Sequence, residues 1–281
     1  MTKFAFTLGT AVATGTFGFG MMLTGALAAD VDTGCTPAVS SINGKIEGAG
    51  GFYEDDTGDG TRFQGVASLS LPLGCLLGAQ IDLGGGDLDG DGYFGAGGHL
   101  FMRDPSSYLL GIHAQYIDLS GDDIFRIGPE AELYLGDITL SAMAGFEDAN
   151  SFNSDDVVAQ VEAAYYINDN FKIYGGYRHF LPIDAGAIGF EFQPESLPGT
   201  LFVDAMVGSD DYVSVMGGFR LYFGADDKSL KARQREDDPG HFFNLLARAA
   251  ESCVPVTADG SAPAITADSE SVDYCEKLAK P

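Results

Sequence analysis

The sequence predicts an all-β fold, a closed antiparallel transmembrane β-barrel of about 12 strands with a short N-terminal segment and a C-terminal tail. Between Asn43 and Gly224, apolar residues alternate with polar or small ones, which is the period of a β-strand. The alternating segments are about ten residues long or longer, as a tilted strand must be to cross a bilayer. The 39 glycines among 281 residues add many positions for tight turns.

Each predicted strand follows from this alternation, and the segment 124–135 shows it clearly. Phe125 and Leu133 belong to its apolar set, whereas Arg126 and Glu130 belong to the intervening polar set. The number of strands is even, as in bacterial membrane barrels. In chain order the predicted strands are 43–54, 61–71, 75–86, 92–103, 107–118, 124–135, 137–147, 156–167, 170–180, 184–193, 200–208 and 212–224.

The connections between these strands alternate in character. Most odd-numbered connections are rich in acid, such as YEDDTGDG and GGDLDGDG, whereas most even-numbered ones are short and nearly neutral, such as DPSS and NDN. Long loops on one side and tight turns on the other are typical of a transmembrane barrel. Alternating strands could also form a soluble sandwich, but a sandwich gives no reason to place the charged loops at the odd-numbered connections only. The barrel is therefore the preferred interpretation.

The last predicted strand ends in Met216-Gly-Gly-Phe-Arg-Leu-Tyr-Phe223, a glycine followed by aromatic or apolar residues two positions apart. This segment resembles the terminal strand of bacterial outer-membrane barrels, and residues 43–224 resemble a barrel of the porin-like kind. In most of that class the strand ends the protein, whereas here residues 224–281 follow it. The resemblance implies the outer membrane of a Gram-negative bacterium and passive transport, and it implies no particular solute.

The first 28 residues have the features of a secretory signal peptide. Lys3 supplies a positive charge, an apolar stretch follows, and Ala26-Leu27-Ala28 offers a small-x-small cleavage site. The tail contains a basic run, KSLKARQRE, and then Phe242, Leu246 and Ala249 at helical spacing, which predicts a short helix ending near Cys253. The expected divisions are a signal peptide at 1–28, a periplasmic segment at 29–42, the barrel at 43–224 and a periplasmic tail with a helix and a disulfide loop at 225–281.

Four cysteines fit export to an oxidising compartment. Cys35, Cys75, Cys253 and Cys275 include no C-x-x-C pair, so two structural disulfides are expected, with three possible pairings. We favour Cys35–Cys75 and Cys253–Cys275, because the N-terminal segment and the first even-numbered turn lie on the same side of the predicted barrel. Both bonds would then form in the periplasm.

The residues predicted to face the lumen are mostly polar, with acids and bases near balance. Two interpretations stay open: the side chains line a narrow water-filled pore, or they pair with one another and plug it. The pore is the preferred one. The candidate pore-lining residues are Arg62, Arg103, Arg126, Glu130, Glu132, Glu162, Lys172, Arg178, Asp204 and Arg220.

Charge restricts the partners. The chain has 41 Asp and Glu against 15 Lys and Arg, a formal net charge of −26, which argues against binding nucleic acid. The acidic loops would meet at one rim, where they concentrate cations and repel anions, so cationic or neutral solutes are favoured. An equally good explanation is that these loops stay solvated, or that divalent cations bridge them to lipopolysaccharide. The tail offers a possible contact with the cell wall.

One loop contains a calcium-like pattern. Asp87-Leu-Asp89-Gly-Asp91-Gly92 resembles the start of an EF-hand loop, but its twelfth position is Gly98 instead of Glu. Asp87, Asp89 and Asp91 are therefore weak metal candidates, and a hairpin turn rich in Asp-Gly explains the same residues.

The sequence thus predicts a porin-like channel for passive diffusion of small hydrophilic solutes, with no cofactor and no enzymatic activity. The alternative is a closed structural or surface-interaction barrel. A lipid hydrolase comes third: His179 is the best candidate base near the outer rim, but the chain after residue 28 has no G-x-S-x-G motif and no serine that is evidently its partner.

Overall fold

The computed structural model describes residues 36–239 with the exception of 56–57, 120–121, 150–153, 181–182, 196, 198, 210 and 225–226. The predicted signal peptide and the helix expected near residues 242–249 lie outside the described residues. Cys35, Cys253 and Cys275 lie outside them as well.

Twelve antiparallel strands form a closed barrel in which each strand pairs with its neighbours in sequence and the last pairs with the first. The predicted fold class is confirmed. The strands are β1 (Asn43–Asp55), β2 (Gly58–Pro72), β3 (Leu77–Leu88), β4 (Asp91–Asp104), β5 (Tyr108–Leu119), β6 (Asp122–Leu135), β7 (Ile138–Ala149), β8 (Ser154–Asn168), β9 (Phe171–Phe180), β10 (Ile183–Phe192), β11 (Gly199–Gly208) and β12 (Val213–Phe223).

The pairing of β1 with β12 closes the barrel. Its register runs from Gly44 opposite Phe223 to Glu54 opposite Val213, and no bulge interrupts it. Closure matters because an open strand edge in lipid would leave backbone N–H and C=O groups without partners, at several kcal/mol for each group. The glycine-rich stretches of β1 and β12 lie against each other in this pair, so the backbones meet where side chains are smallest.

The outward face of the barrel is apolar and exposed. Along β2, exposed and buried residues alternate strictly from Thr61 to Ser70, as the period of two predicts. Phe63 is 59% exposed on this face and Ile188, on β10, is 67% exposed. An apolar surface that encircles the molecule is the surface that a bilayer covers.

Aromatic rings mark both ends of this apolar belt. Phe94 and Phe125 lie outward near the acidic loops. At the opposite end Phe171 makes edge-to-face contacts with Phe190 and Phe192, with ring centroids 6.2 and 6.1 Å apart. Two such girdles are expected where the barrel meets the two membrane interfaces. We call the end with the acidic connections the loop end, and the end with the short connections the turn end.

Two tight connections show how sequence sets the geometry of the ends. At the loop end, Asp89 and Gly90 have φ values of +52° and +101°, the conformation of a two-residue hairpin of type I′. At the turn end, Gly136 has a φ of +61° between β6 and β7. Each turn has a glycine in the left-handed region, and Asp89 is of a residue type that tolerates the same conformation.

A short helix, α1 (Leu230–Glu236), follows the barrel. Ser229 caps its start by accepting a hydrogen bond of 3.3 Å from the Ala232 N–H, and the Asp237 N–H donates to the Arg233 carbonyl at its end. From sequence this segment is only a basic run, and the predicted helix lies further on, near residues 242–249. None of the helices in the described part of the chain is long and apolar enough to cross a membrane.

Candidate functional site in the barrel lumen

Inward-facing side chains fill the barrel in layers, and the layer nearest the loop end is apolar. Ile117 and Ile124 face each other across β5 and β6, and each is at most 1% exposed. The alternation predicts an inward face that is mostly polar, so this apolar layer differs from the prediction. We call it the apolar cap; its main members are Tyr53, Leu88, Tyr93, Ile117, Ile124, Phe180, Ile183 and Tyr212.

Beneath the apolar cap, the lumen holds charged side chains in pairs. Arg126 donates a hydrogen bond from Nε to Glu147, and both side chains are fully buried. Arg178 binds Asp204 through two hydrogen bonds of 2.8 Å, one from each terminal nitrogen. Glu162 approaches the same guanidinium at 3.6 Å. Such two-pronged contacts hold both partners in a fixed orientation.

Arg220 and Glu191 form the centre of the charge network toward the turn end. Arg220 donates to Glu191 at 2.7 Å and to Glu47 at 2.5 Å, and its guanidinium lies 4.1 Å above the Phe202 ring. Glu191 also accepts a hydrogen bond from Thr200 at 2.7 Å. One arginine thus joins strands β1, β10 and β12 across the interior.

A histidine pair occupies the opposite wall. His99 lies between Glu130, 2.8 Å from its Nδ1, and Asp82, 3.4 Å from its Nε2. Its ring centroid is 4.5 Å from that of His113 on the adjacent strand. Asp82 accepts further hydrogen bonds from Ser68 and Gln80, at 2.5 and 2.9 Å. Carboxylates therefore surround the first histidine from both sides.

All ten candidate pore-lining residues face the lumen, and nine of them are buried. The exception, Glu162, has a side chain that is 17% exposed. Arg62 donates to Ser214 at 2.7 Å, Arg103 reaches the Ala38 carbonyl at 3.3 Å, and Glu132 accepts from Tyr134 at 2.7 Å. Six of the ten line a cavity of about 70 Å³, which has room for a few water molecules: Glu132, Glu162, Lys172, Arg178, Asp204 and Arg220.

The chain segments that flank the barrel close its turn end. Leu230, Gln234 and Asp238 are buried there, and Lys45 forms an ion pair of 2.6 Å with Asp238. Burial raises the pKa of the Asp238 carboxyl above its usual value, and the lysine opposes that rise. Val39, from the N-terminal side, packs in a small apolar cluster at the same end. Sequence reasoning missed this closure, because the closing helix carries no apolar stripe.

At the loop end, His179 lies on the outward face of β9. Its Nδ1 is 2.7 Å from Asp184, which also accepts a hydrogen bond from Tyr177 and donates its N–H to Ser209 Oγ at 3.2 Å. Among the described residues, no serine hydroxyl hydrogen-bonds to this histidine. A base with an orienting carboxylate is present, but a nucleophile is not placed beside it.

The calcium-like residues form the hairpin between β3 and β4. Asp87 accepts a hydrogen bond of 2.9 Å from the Gly90 N–H, which fixes the turn. Within the described part of the chain, no group of three or more His, Cys, Asp or Glu is arranged to hold a metal ion. Calcium binding by Asp87, Asp89 and Asp91 stays a prediction, and turn formation accounts for these residues.

No protein-family model and no curated protein matches the sequence. Among solved structures, the chain is similar to the KdgM porin in complex with disordered oligogalacturonate, with a TM-score of 0.51, 9% identity, and coverage of 64% of this chain and 99% of that chain. A second structure of the KdgM porin is similar to this chain with a TM-score of 0.50 and 8% identity, and the match covers 64% of this chain and 99% of that chain. This chain has an outer-membrane barrel fold. For the outer membrane protein Omp33 of Acinetobacter baumannii, the TM-score is 0.43 and the identity 11%, and the match covers 64% of this chain and 99% of that chain.

Proposed function

We propose that the protein is an outer-membrane channel for passive diffusion of small hydrophilic solutes, and that its lumen is closed at rest. The observation that carries this proposal is the contrast between the two parts of the interior. The barrel fills its loop end with apolar side chains, yet it keeps ionised groups such as Arg178 and Arg220 in the rest. Buried ion pairs stabilise no better than apolar packing of the same volume. Because these charges add no stability, their presence favours a lumen that water and solutes enter.

Location in the outer membrane follows from the outward face. Large apolar side chains are about half exposed on every strand, and burying such surface in lipid stabilises by about 25 cal/mol per Å². Residues of the turn end, including the tail, would then lie in the periplasm. We test this location by asking whether the mature protein needs detergent: a compact monomer that stays soluble without it would contradict a membrane barrel.

The solute class is proposed from the loop end. Carboxylates surround the entrance there, and a rim of one sign raises the local concentration of counter-ions. Cationic or neutral solutes are therefore favoured over anions. The same carboxylates could bind divalent cations that bridge to lipopolysaccharide, which is a separate proposal. The described members of the rim are Glu54, Asp55, Asp59, Asp87, Asp89, Asp91, Asp118, Asp123, Asp148, Asp184 and Asp211.

Planar-bilayer recording in a salt gradient tests both parts of the proposal. We expect rare openings with a reversal potential that shows cation preference, and weaker preference after Glu54→Gln/Asp59→Asn, a directly opposed pair on β1 and β2. Glu195→Gln, an exposed change at the turn end, is the control. Anion preference would overturn the solute class, and complete absence of openings under all conditions would overturn the channel.

A second function is favoured by one observation, the apolar cap. If that layer never hydrates, the protein is a closed structural or surface-interaction barrel, and contact with lipopolysaccharide at the loops or with the cell wall at the tail becomes its role. Liposome swelling with a series of small sugars separates the two functions. Uptake that falls with solute size supports the channel, and swelling no faster than protein-free liposomes supports the closed barrel. We do not propose a hydrolase.

A further inference from the structure

We propose that residues 230–239, which we call the plug, form a removable gate at the turn end of the lumen. This inference rests on the proposed channel function and deepens it by naming how passage is regulated. The plug comprises α1 and the following Asp237-Asp238-Pro239. It is not part of the barrel wall, because residues 224–229 separate it from the end of β12.

The plug enters the lumen through one side chain in particular. Gln234 donates a hydrogen bond of 2.8 Å to Glu191 and accepts hydrogen bonds from Tyr166 and Lys172, at 2.7 and 2.9 Å. These three partners line the luminal cavity, and so does Gln234. A neutral amide therefore occupies a place where water or a polar solute would meet the same donors and acceptor. Withdrawal of the plug would open the cavity to the solvent at the turn end.

Contacts to the β6–β7 turn hold the plug from outside, and the backbone N–H of Leu230 and the N-terminal Ser40 add further hydrogen bonds, to Asn170 Oδ1 at 3.2 Å and to Asp237 at 2.5 Å. Arg235 donates hydrogen bonds of 2.9 Å to the carbonyls of Gly136 and Ile138, and its guanidinium lies 5.0 Å from the Tyr134 ring centroid. Lys231 binds Asp137 at 2.7 Å. We call Lys231 and Arg235 the latch. Both bind the β6–β7 connection. Lys231 also contacts Asp169 in the β8–β9 turn, with its N–H donating to the Asp169 carbonyl at 3.0 Å, so release of the plug involves both turns.

The latch is weak enough to open. The Asp137 side chain is 62% exposed and that of Lys231 is 20% exposed, so water competes for both partners. Exposed ion pairs contribute little net stability and are screened by salt. Deeper in the mouth, the pair between Lys45 and Asp238 is buried and fixes the closed position more firmly. The plug therefore has a loose outer attachment and a specific inner one.

Most of the plug's contacts are polar, which makes its release reversible. Leu230 is its one fully buried large apolar side chain, whereas Arg233, Gln234, Asp237 and Asp238 are its buried polar ones. When an apolar plug leaves its seat, it loses the hydrophobic effect in full, but polar groups recover hydrogen bonds from water. A polar gate thus needs a smaller free-energy change to move.

A thiol placed at the inner contact measures release independently of conductance. Gln234→Cys is introduced into the full-length mature protein in detergent micelles and in bilayers, and reaction with a bulky hydrophilic maleimide is followed. The protein without this substitution corrects for the native cysteines. A heat-dependent shift on an SDS gel shows that each variant is a folded barrel. With the latch intact, we expect slow labelling.

The latch variant Lys231→Met/Arg235→Met should label about tenfold faster, the shift produced by a loss of about 1.4 kcal/mol. It should also open more often in bilayers. The matched control, Glu195→Gln/Asp227→Asn, changes two exposed charges at the same end that make no hydrogen bond or ion pair within the described residues, and it should behave as the parent. Recordings are repeated with Ile117→Asn/Ile124→Asn, so that a dry apolar cap does not conceal release.

The outcomes separate this inference from the proposed function. Faster labelling with more frequent opening supports both. Faster labelling without conductance, even with the hydrated cap, supports the plug and overturns the channel. If the latch variant and the parent are labelled at equal rates, the latch is overturned. If channels open in the parent while the thiol stays protected from labelling, the gate is overturned.

Discussion

Arg178 and Asp204 are joined across β10 by two parallel hydrogen bonds of 2.8 Å inside the barrel. Arg178 lies on β9 and Asp204 on β11, and these two strands are not adjacent. The pair therefore ties β9 to β11 without the backbone hydrogen bonds that join neighbouring strands. Glu162 lies 3.6 Å away on the other side and shares the positive charge.

Removing one member of this pair should destabilise the barrel strongly. Asp204→Ala leaves a buried guanidinium with only Glu162 nearby, which should cost about 3–5 kcal/mol. Glu162→Gln/Arg178→Met/Asp204→Leu removes all three charges and should cost much less. Urea-induced unfolding in lipid vesicles measures both variants, and equal destabilisation by the single and triple changes would contradict the assigned pairing.

Hydrating the apolar cap should raise conductance. Ile117 and Ile124 oppose each other directly, and each is nearly inaccessible to water. Asn at both positions should let water cross the layer, because apolar constrictions gate by drying. In bilayers the mean current should rise in the latch variant that carries these changes. Val at both positions keeps the layer apolar and is the control; an equal rise with Val would disprove gating by the apolar cap.

The latch should be visible in a titration. The hydrogen bond from Lys231 lowers the pKa of Asp137 below its usual value of 3.8. The carboxylate is therefore bound to the lysine at neutral pH, and this contribution is lost as pH falls through the lowered pKa. NMR of ¹³C-labelled aspartate, assigned with Asp137→Asn, should show a higher pKa after Lys231→Met. No change between the two proteins would mean that the contact does not form in solution.

The disulfide between Cys35 and Cys75 is a further prediction. Its support is the hydrogen bond of 2.9 Å from the Ala38 N–H to the Cys75 carbonyl, which holds the chain just after Cys35 beside the β2–β3 turn. Non-reducing peptide mapping by mass spectrometry should recover Cys35 linked to Cys75. A peptide that links Cys75 to Cys253 or Cys275 would show that the pairing is wrong.

Alternation predicted the strands well because each residue of a strand faces either the lipid or the lumen, and these two environments differ strongly in polarity. A shift of one residue in β6 would place Arg126 and Glu130 in lipid and Phe125 inside, so the register follows from hydrophobicity. Strand ends were harder to predict: β2 was expected from residue 61 and begins at Gly58. There the hairpin turn extends the pairing past the last apolar residue.

The partners of the luminal charges could not be predicted from alternation. Parity indicates that Arg220 points inward, but its bonds to Glu47 and Glu191 depend on strand tilt and on closure between β1 and β12. The plug was missed for a related reason. Its helix has one buried leucine, Leu230, and otherwise binds through polar contacts to strands far away in sequence, so it lacks an amphipathic signal.

Closure by the two outermost strands also has a consequence for assembly. Gly44 and Phe223 lie at opposite ends of the barrel sequence, yet they are paired, so this seam joins the two strands of the sheet that are most distant in sequence. Contacts between such distant segments form slowly. A chain truncated before β12 would retain eleven strands with two unpaired strand edges. We expect such a chain to aggregate or be degraded instead of inserting as a smaller barrel.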